Sequence, residues 1–444
     1  MEYAIDNYNS NNHKANFFKS LAIVSIIFLW PEQIYIAHIQ ISLNYFLFAF
    51  IIIFFKTYLR DIITMGILII FFYLLLVVQI LSAFNLAAPA KTILYIPIFS
   101  FLVVFCFRFI KQIFKEEDEK KLFRLLRLFL KLQLSVQIIQ LILIHIGFGS
   151  IMPHTTSPQY INDKIPRVSG FFYEPSSIGF SLSPFIYILV QDYKKFIKWF
   201  RYESIFVIIM ILFLSFSTTF IGVIFLSIGF KIISVFRHIK LRNIVITLIT
   251  GVLLVNLAMT NPQIYVRINQ VYLRFTGQEI ISSKINYSSG VFIKGFEMAK
   301  IALKKYPLGV GMENMQVLNK YTKVAQLGGL FEKLNSHNGG SILFKIISEF
   351  GYLGLIIAIY ALLYLIKYSL KKDKNPYNLL IGSLVFGFIS AFIRGPSYTA
   401  GVPILGLSVL FWVILDNLKK YLSPSYVKIN KNKLNIEKPE IADY

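Results

Sequence analysis

Apolar runs long enough to cross about 30 Å of hydrocarbon recur from one end of the chain to the other, separated by polar or basic connections. They predict about twelve membrane-spanning helices, at roughly 17–36, 38–55, 62–82, 92–110, 128–148, 176–193, 203–216, 218–236, 243–260, 351–367, 377–394 and 401–416. The seventh and eighth are short and meet at the turn Ser215-Phe216-Ser217-Thr218-Thr219. Two longer polar stretches, 149–175 and 261–350, interrupt the series. Inside the second, SSGVFIKGFEMAKIALKKYP at 288–307 predicts an amphipathic helix. Ser288 or Ser289 caps it and Pro307 stops it. Phe292, Phe296, Ala299 and Leu303 form its apolar stripe, while Glu297, Lys300 and Lys304 fall towards the polar side. Such a helix is suited to lie along a membrane surface, over a cavity. The expected fold is all-α: a polytopic integral membrane protein with a large external loop.

Composition agrees with that reading. The 444 residues are 56% hydrophobic and 16% aromatic, with 43 Phe and 26 Tyr, more apolar surface than a water-soluble domain can hide. The net charge of +23 adds orientation. Most Lys and Arg lie at 56–61, 108–127, 194–201, 231–242, 367–374 and the two tails, which the positive-inside rule makes cytoplasmic. This charge serves orientation and contact with anionic headgroups, not nucleic-acid binding. The expected order is a cytoplasmic tail at 1–16, spans one to nine over 17–260, an external loop at 261–350, spans ten to twelve over 351–416 and a cytoplasmic tail at 417–444. The polar start reads as a tail rather than a cleaved signal. The mixed-charge run KEEDEKKLFRLLRLFLK at 115–131 reads as a solvated cytoplasmic helix. Cys106 is the single cysteine and reads as span filler.

Candidate chemistry gathers at the external ends of the spans. RVSGFFYEPSSIGF (167–180), YPLGVG (306–311), SHNGG (336–340) and FIRGP (392–396) hold Arg167, Tyr173, Glu174, His337, Asn338 and Arg394. Pro175 suits a first helical turn, so Glu174 sits at the mouth of the sixth span, as a sugar-binding or proton-accepting carboxylate or as a helix cap. His337 and Asn338 precede two glycines and an apolar helix, where a histidine acts as a general base or caps the helix. Arg394 ends an apolar span, where an arginine snorkels or grips an anion; with Arg167, and Arg267 or Arg274, it suits a diphosphate clamp. Lys345 and Glu349, four apart, read as an ordinary helical pair. No external Asp-x-Asp, Walker, Rossmann or Gly-x-Ser-x-Gly pattern occurs, which points to metal-free transfer from an activated donor with no cofactor.

The ordered set Arg167-x-x-Gly170 with Glu174-Pro175-Ser176, Pro307-Leu-Gly-Val-Gly311, His337-Asn338 with Glu349-Phe-Gly351-x-x-Gly354, and Arg394-Gly-Pro-x-Tyr398 resembles bacterial O-antigen polymerases of the Wzy type, within the O-antigen ligase/polymerase superfamily. The resemblance covers about 167–400; earlier residues contribute hydropathy alone. It implies an inner-membrane glycosyltransferase that joins repeat units carried on undecaprenyl diphosphate, at the external (periplasmic) face. It implies catalytic roles for His337 and Glu174, and diphosphate or glycan contacts for Arg167, Arg394, Arg274, Asn338, Tyr173 and Tyr398, with no metal. The implied partners are the lipid-linked oligosaccharide, membrane lipids, a chain-length-determinant protein and the pathway's flippase. The FFYEPS element favours polymerase over ligase. A flippase or transporter of lipid-linked sugars is the alternative from another class, although the spans carry few central charges.

Overall fold

The computed structural model describes the chain mainly over residues 119–148, 165–170, 172, 175–215, 217–236, 287–327, 340–369, 376–395 and 401–422, with two short hairpins and isolated helical residues elsewhere. The framework is helical, as expected. Predicted spans one to four and nine, and both tails, fall largely outside the described residues. Where they touch, one boundary changes: Gln33–Ile36 (β1) pairs antiparallel with Ile39–Ser42 (β2), at the junction of the first two predicted spans. Both segments alternate polar and apolar residues, the period of a strand rather than of a helix.

Helix α1, Glu119–His145, merges the predicted cytoplasmic helix and fifth span into one rod. It ends in a Schellman cap: Gly147 takes φ +84, its N–H bonds Ile144 O at 3.2 Å, and the Phe148 N–H bonds Leu143 O at 2.8 Å. The hairpin of Gln159–Ile161 (β3) and Ile165–Arg167 (β4) follows. The predicted sixth span is two helices, α2 (Pro175–Ser181) and α3 (Ser183–Gln191). Pro184 cannot donate to the carbonyl of Phe180, and the Ser183 hydroxyl takes that carbonyl instead at 2.5 Å.

Helix α4, Tyr193–Ser215, corrects the basic loop expected at 194–201: that stretch is helical up to a break at Arg201 (φ 62, ψ 163). Phe196 and Phe200 give it a buried face, and Trp199 stacks on Phe123 of α1 with ring centroids 4.7 Å apart. The charged residues occupy the other face, a pattern that charge counting alone reads as a loop. Helix α5, Thr218–Phe236, matches the eighth predicted span. Helix α6, Tyr287–Lys305, is the predicted amphipathic helix; a 3-10 turn (Met315–Tyr321) and the short α7 (Lys323–Gln326) follow. Helix α8, Ile342–Ser369, begins well before the predicted tenth span. Helix α9, Pro376–Ser390, ends early in a turn, and α10 spans Gly401–Leu422.

Small residues let α2, α3, α5, α9 and α10 pack closely. A Cβ on Gly179 would stand 2.9 Å from the Phe220 amide nitrogen, and one on Gly406 would overlap the Leu384 carbonyl. The α3–α9 seam is closed by Ser390 Oγ donating to Ser183 Oγ at 2.9 Å and by Tyr187 against Phe386, with centroids 4.8 Å apart.

Two helices, Leu126–His145 and Ile342–Tyr368, are long and apolar enough to cross a membrane. Their outer faces, with that of α4, expose Ile139, Ile142, Phe206, Phe213, Ile356 and Leu363. Apolar surface on that scale suits hydrocarbon better than water.

Candidate functional site

The segment after Arg167 is fixed by three amides of α1. Gln133, Gln137 and Gln140 are buried and spaced to share one helical face. Gln133 Nε2 donates to Ser169 O at 3.0 Å, Gln137 Nε2 to Val168 O at 3.2 Å and Gln140 Nε2 to Gly170 O at 2.9 Å. The Gly170 N–H returns a bond to Gln140 Oε1 at 2.7 Å, and the Val168 N–H donates to Leu214 O at 3.2 Å. Irregular backbone can be buried here because these side chains satisfy it. Gly170 itself takes φ +62, and a Cβ would collide with the Gln133 amide. Arg167, paired to Gln159 at the end of β4, stands directly before this clasp. The three glutamines carried a signal in the sequence: amide side chains at i, i+4 and i+7 within the predicted fifth span. We expect Gln140→Leu to orphan a buried N–H and a buried C=O together and to lower stability by about 2 kcal/mol, read as a fall in unfolding temperature in detergent. An unchanged unfolding temperature contradicts this.

The YPLGVG and Glu-Phe-Gly motifs form one structural unit. Helix α8 breaks at Gly351, which takes φ 59 and ψ −134. The freed carbonyls of Ser348 and Glu349 accept the N–H groups of Val310 (3.0 Å) and Gly311 (3.1 Å), while the Tyr352 N–H donates to Pro307 O at 2.9 Å. A Cβ at Gly351 would overlap the Pro307 carbonyl, and one at Gly309 would overlap that of Glu349. Both motifs therefore need glycine, since the two backbones touch.

Beneath this junction the expected helical pair of Lys345 and Glu349 is present, buried and joined by a third charged residue. Lys345 Nζ lies 3.0 Å from Glu349 Oε1 and 2.9 Å from Glu313 Oε1, and the Lys345 and Glu349 side chains are wholly buried. Glu313 had no sequence signal; it arrives through the YPLGVG turn.

Helix α6 packs on the start of α8 through Met298 and Ala302, with Phe292 and Phe296 set edge-on to Phe344. Its buried Lys294 donates to Glu332 O at 3.0 Å, and Asn319 Nδ2 donates to the same carbonyl at 2.7 Å. Burial pushes the Lys294 ammonium down from 10.5 to about 8, against the opposing pull of the Glu332 charge. Between those two values the unfolded chain binds more protons than the folded one, so stability rises with pH. Lys294→Met should flatten that rise, measured as unfolding temperature against pH; an equal slope in both proteins contradicts the assignment.

The described residues bring two further motifs together. The Gly395 N–H donates to Gly340 O at 3.3 Å, the Ile342 N–H to Ala391 O at 3.2 Å, and Ser341 Oγ to Phe392 O at 2.6 Å. Gly340, three residues after His337 in the sequence, thus sits on the turn holding half-buried Arg394. The start of α2 lies at the same end. Gly179 faces Phe220, and Gln191 Nε2 donates to Ser227 O at 3.2 Å, so α2–α3 run alongside α5. The end of α9 meets them at Ser183, and a Cβ on Gly222 would stand 3.2 Å from Ile393. Of the predicted site residues, the backbone of Arg167 and the whole of Arg394 are described. His337, Asn338, Glu174, Tyr173, Arg274 and Tyr398 lie outside the described residues, as does Arg267. Among the described residues, no group of three or more His, Cys, Asp or Glu side chains is placed to hold a metal ion.

In comparisons with known proteins, no family model matches the chain, and no curated protein or solved structure matches it.

Proposed function

We propose that the protein is a polysaccharide polymerase of the cytoplasmic membrane, joining oligosaccharide repeat units carried on undecaprenyl diphosphate at the external face. The observation that carries this reading is the meeting of the Gly340 and Arg394 turns, at the end of the bundle where α2 begins. Gly340 follows His337 by three residues and α2 opens one residue after Glu174, so an arginine fork near both suits a glycosyl diphosphate meeting a sugar hydroxyl. In this reading Arg394 and Arg167 hold the diphosphate leaving group. His337 takes the proton of the acceptor hydroxyl, and Glu174 orients or shares it. The new glycosidic bond forms as the anomeric carbon–oxygen bond to the diphosphate breaks.

The test is the glycan profile of a strain lacking the gene, followed by incubation of purified protein with lipid-linked repeat units. A single repeat unit on the lipid core, together with polymer made in vitro, supports the polymerase. Free lipid-linked polymer in the deletion strain instead indicates a ligase, and cytoplasmic accumulation of lipid-linked units indicates a flippase.

A further inference from the structure

Helix α6 spends its apolar stripe on the protein rather than on a lipid surface: Phe292, Phe296, Ala299 and Leu303 pack with the start of α8. The face left outward carries Lys300, Lys304 and Lys305, all exposed. At the end of the helix, Lys305 Nζ stands 4.7 Å from the centroid of the Tyr321 ring. Lys320 Nζ, brought by the 3-10 turn, stands 5.1 Å from the same centroid. Two like charges therefore converge on one exposed ring. Among the described residues no carboxylate pairs with Lys305 or Lys320. The acids of this region are engaged elsewhere: Glu297 Oε2 accepts the Val324 N–H at 3.4 Å, Glu313 holds Lys345, and Glu332 acts on Lys294. The negative end of the helix dipole accounts for Lys304 and Lys305 in the last turn of α6. It does not account for Lys320, which comes from another element.

The same corner adjoins apolar surface. The Tyr352 N–H on the Pro307 carbonyl, at 2.9 Å, fixes the turn after α6 to α8, and Leu308 in that turn is 53% exposed. Tyr352 opens an exposed column with Ile356, Ile359 and Leu363, spaced for one face of a helix long and apolar enough to cross a membrane. Leu308 stands beside the first residue of that column, and Lys304 and Lys305 directly precede its turn. We propose that this corner docks anionic phospholipid headgroups: Lys305 and Lys320, set about Tyr321, take the phosphate, and Leu308 enters the acyl boundary beside Tyr352. A phosphate between the two ammoniums relieves their repulsion. Lysines beside an exposed leucine and tyrosines match the headgroup level of a bilayer, where charge and apolar surface are met together. An acidic glycan or protein would meet the lysines and leave the leucine and the apolar column uncovered; a lipid covers both. The site stands independently of the polymerase reading.

The test is a site-specific lipid preference in the full-length protein. Cys106 is buried, so an environment-sensitive dye on Leu308→Cys reports this corner. The protein is placed in phosphatidylcholine nanodiscs with rising fractions of nitroxide-labelled phosphatidylglycerol or nitroxide-labelled phosphatidylcholine. Half-maximal quenching should need an about tenfold smaller fraction of phosphatidylglycerol, since each lysine near the surface favours an anionic lipid by about fivefold. Lys305→Gln with Lys320→Gln should abolish that preference. Lys305→Arg with Lys320→Arg should keep it, because the charge remains. All four substitutions fall on exposed side chains, so both double variants should unfold at the parent temperature. Equal quenching by the two lipids in the parent protein, quenching by neither, or a preference that survives the glutamine substitutions overturns the site. A glutamine double variant that fails to fold overturns it too. Loss of the preference on adding inorganic phosphate, against chloride at equal ionic strength, assigns the lysines to free phosphate and overturns the lipid assignment. Loss on adding a soluble acidic polysaccharide assigns them to glycan, with the same consequence.

Discussion

Lys345→Met lowers stability by about 3–5 kcal/mol, the expected loss when one member of a buried ionic cluster is removed. Glu349 is fully enclosed and Glu313 largely so, and both are paired to this ammonium. Without it, two carboxylates lose that counter-charge in a water-poor site. The measurement is the unfolding temperature and denaturant midpoint of detergent-solubilised protein. The double variant Lys345→Met with Glu349→Gln should recover more than half of the loss, because an amide replaces the most deeply buried charge. A single variant within about 1 kcal/mol of wild type contradicts the account, since surface pairs contribute only that much.

The largest effect on activity is expected from the arginines. Arg394→Lys and Arg167→Lys each reduce polymer formation by about tenfold or more at unchanged protein level, because lysine keeps the charge and loses the planar fork. A charge-assisted bond contributes about 1.5–3 kcal/mol, and 1.4 kcal/mol is a factor of ten. Polymer length and yield, measured on membranes with matched protein content, decide it. Wild-type polymer from both lysine variants removes the diphosphate clamp.

Local patterns were the legible part of the fold. The amphipathic helix over 288–307 and the helix at 218–236 could be read from periodicity, and the structure places helices at Tyr287–Lys305 and Thr218–Phe236. What escaped needed a partner distant in sequence. Lys345 and Glu349 look like any i, i+4 pair until Glu313 arrives through the glycine junction. The predicted tenth span begins at 351, where α8 breaks, but that the segment before it is also helix and that the break holds Pro307–Gly311 are visible only in the structure. Within 194–201 the basic residues outweighed Phe196 and Phe200 in the charge count, and the buried face went unread. For the site, the order of motifs along the chain was legible, and the junctions of Gly340 with Gly395 and of Gly311 with Glu349 were not.

The glutamine clasp on residues 168–170 has one property that an ionic anchor would lack: it is electrically neutral. Amides do not titrate in the physiological range and shed no counterions, and a voltage across the bilayer does no work on an uncharged group. The foothold of the Arg167 segment is therefore indifferent to acidity, salt and a voltage across a membrane. Changes in all three would leave this anchor unmoved.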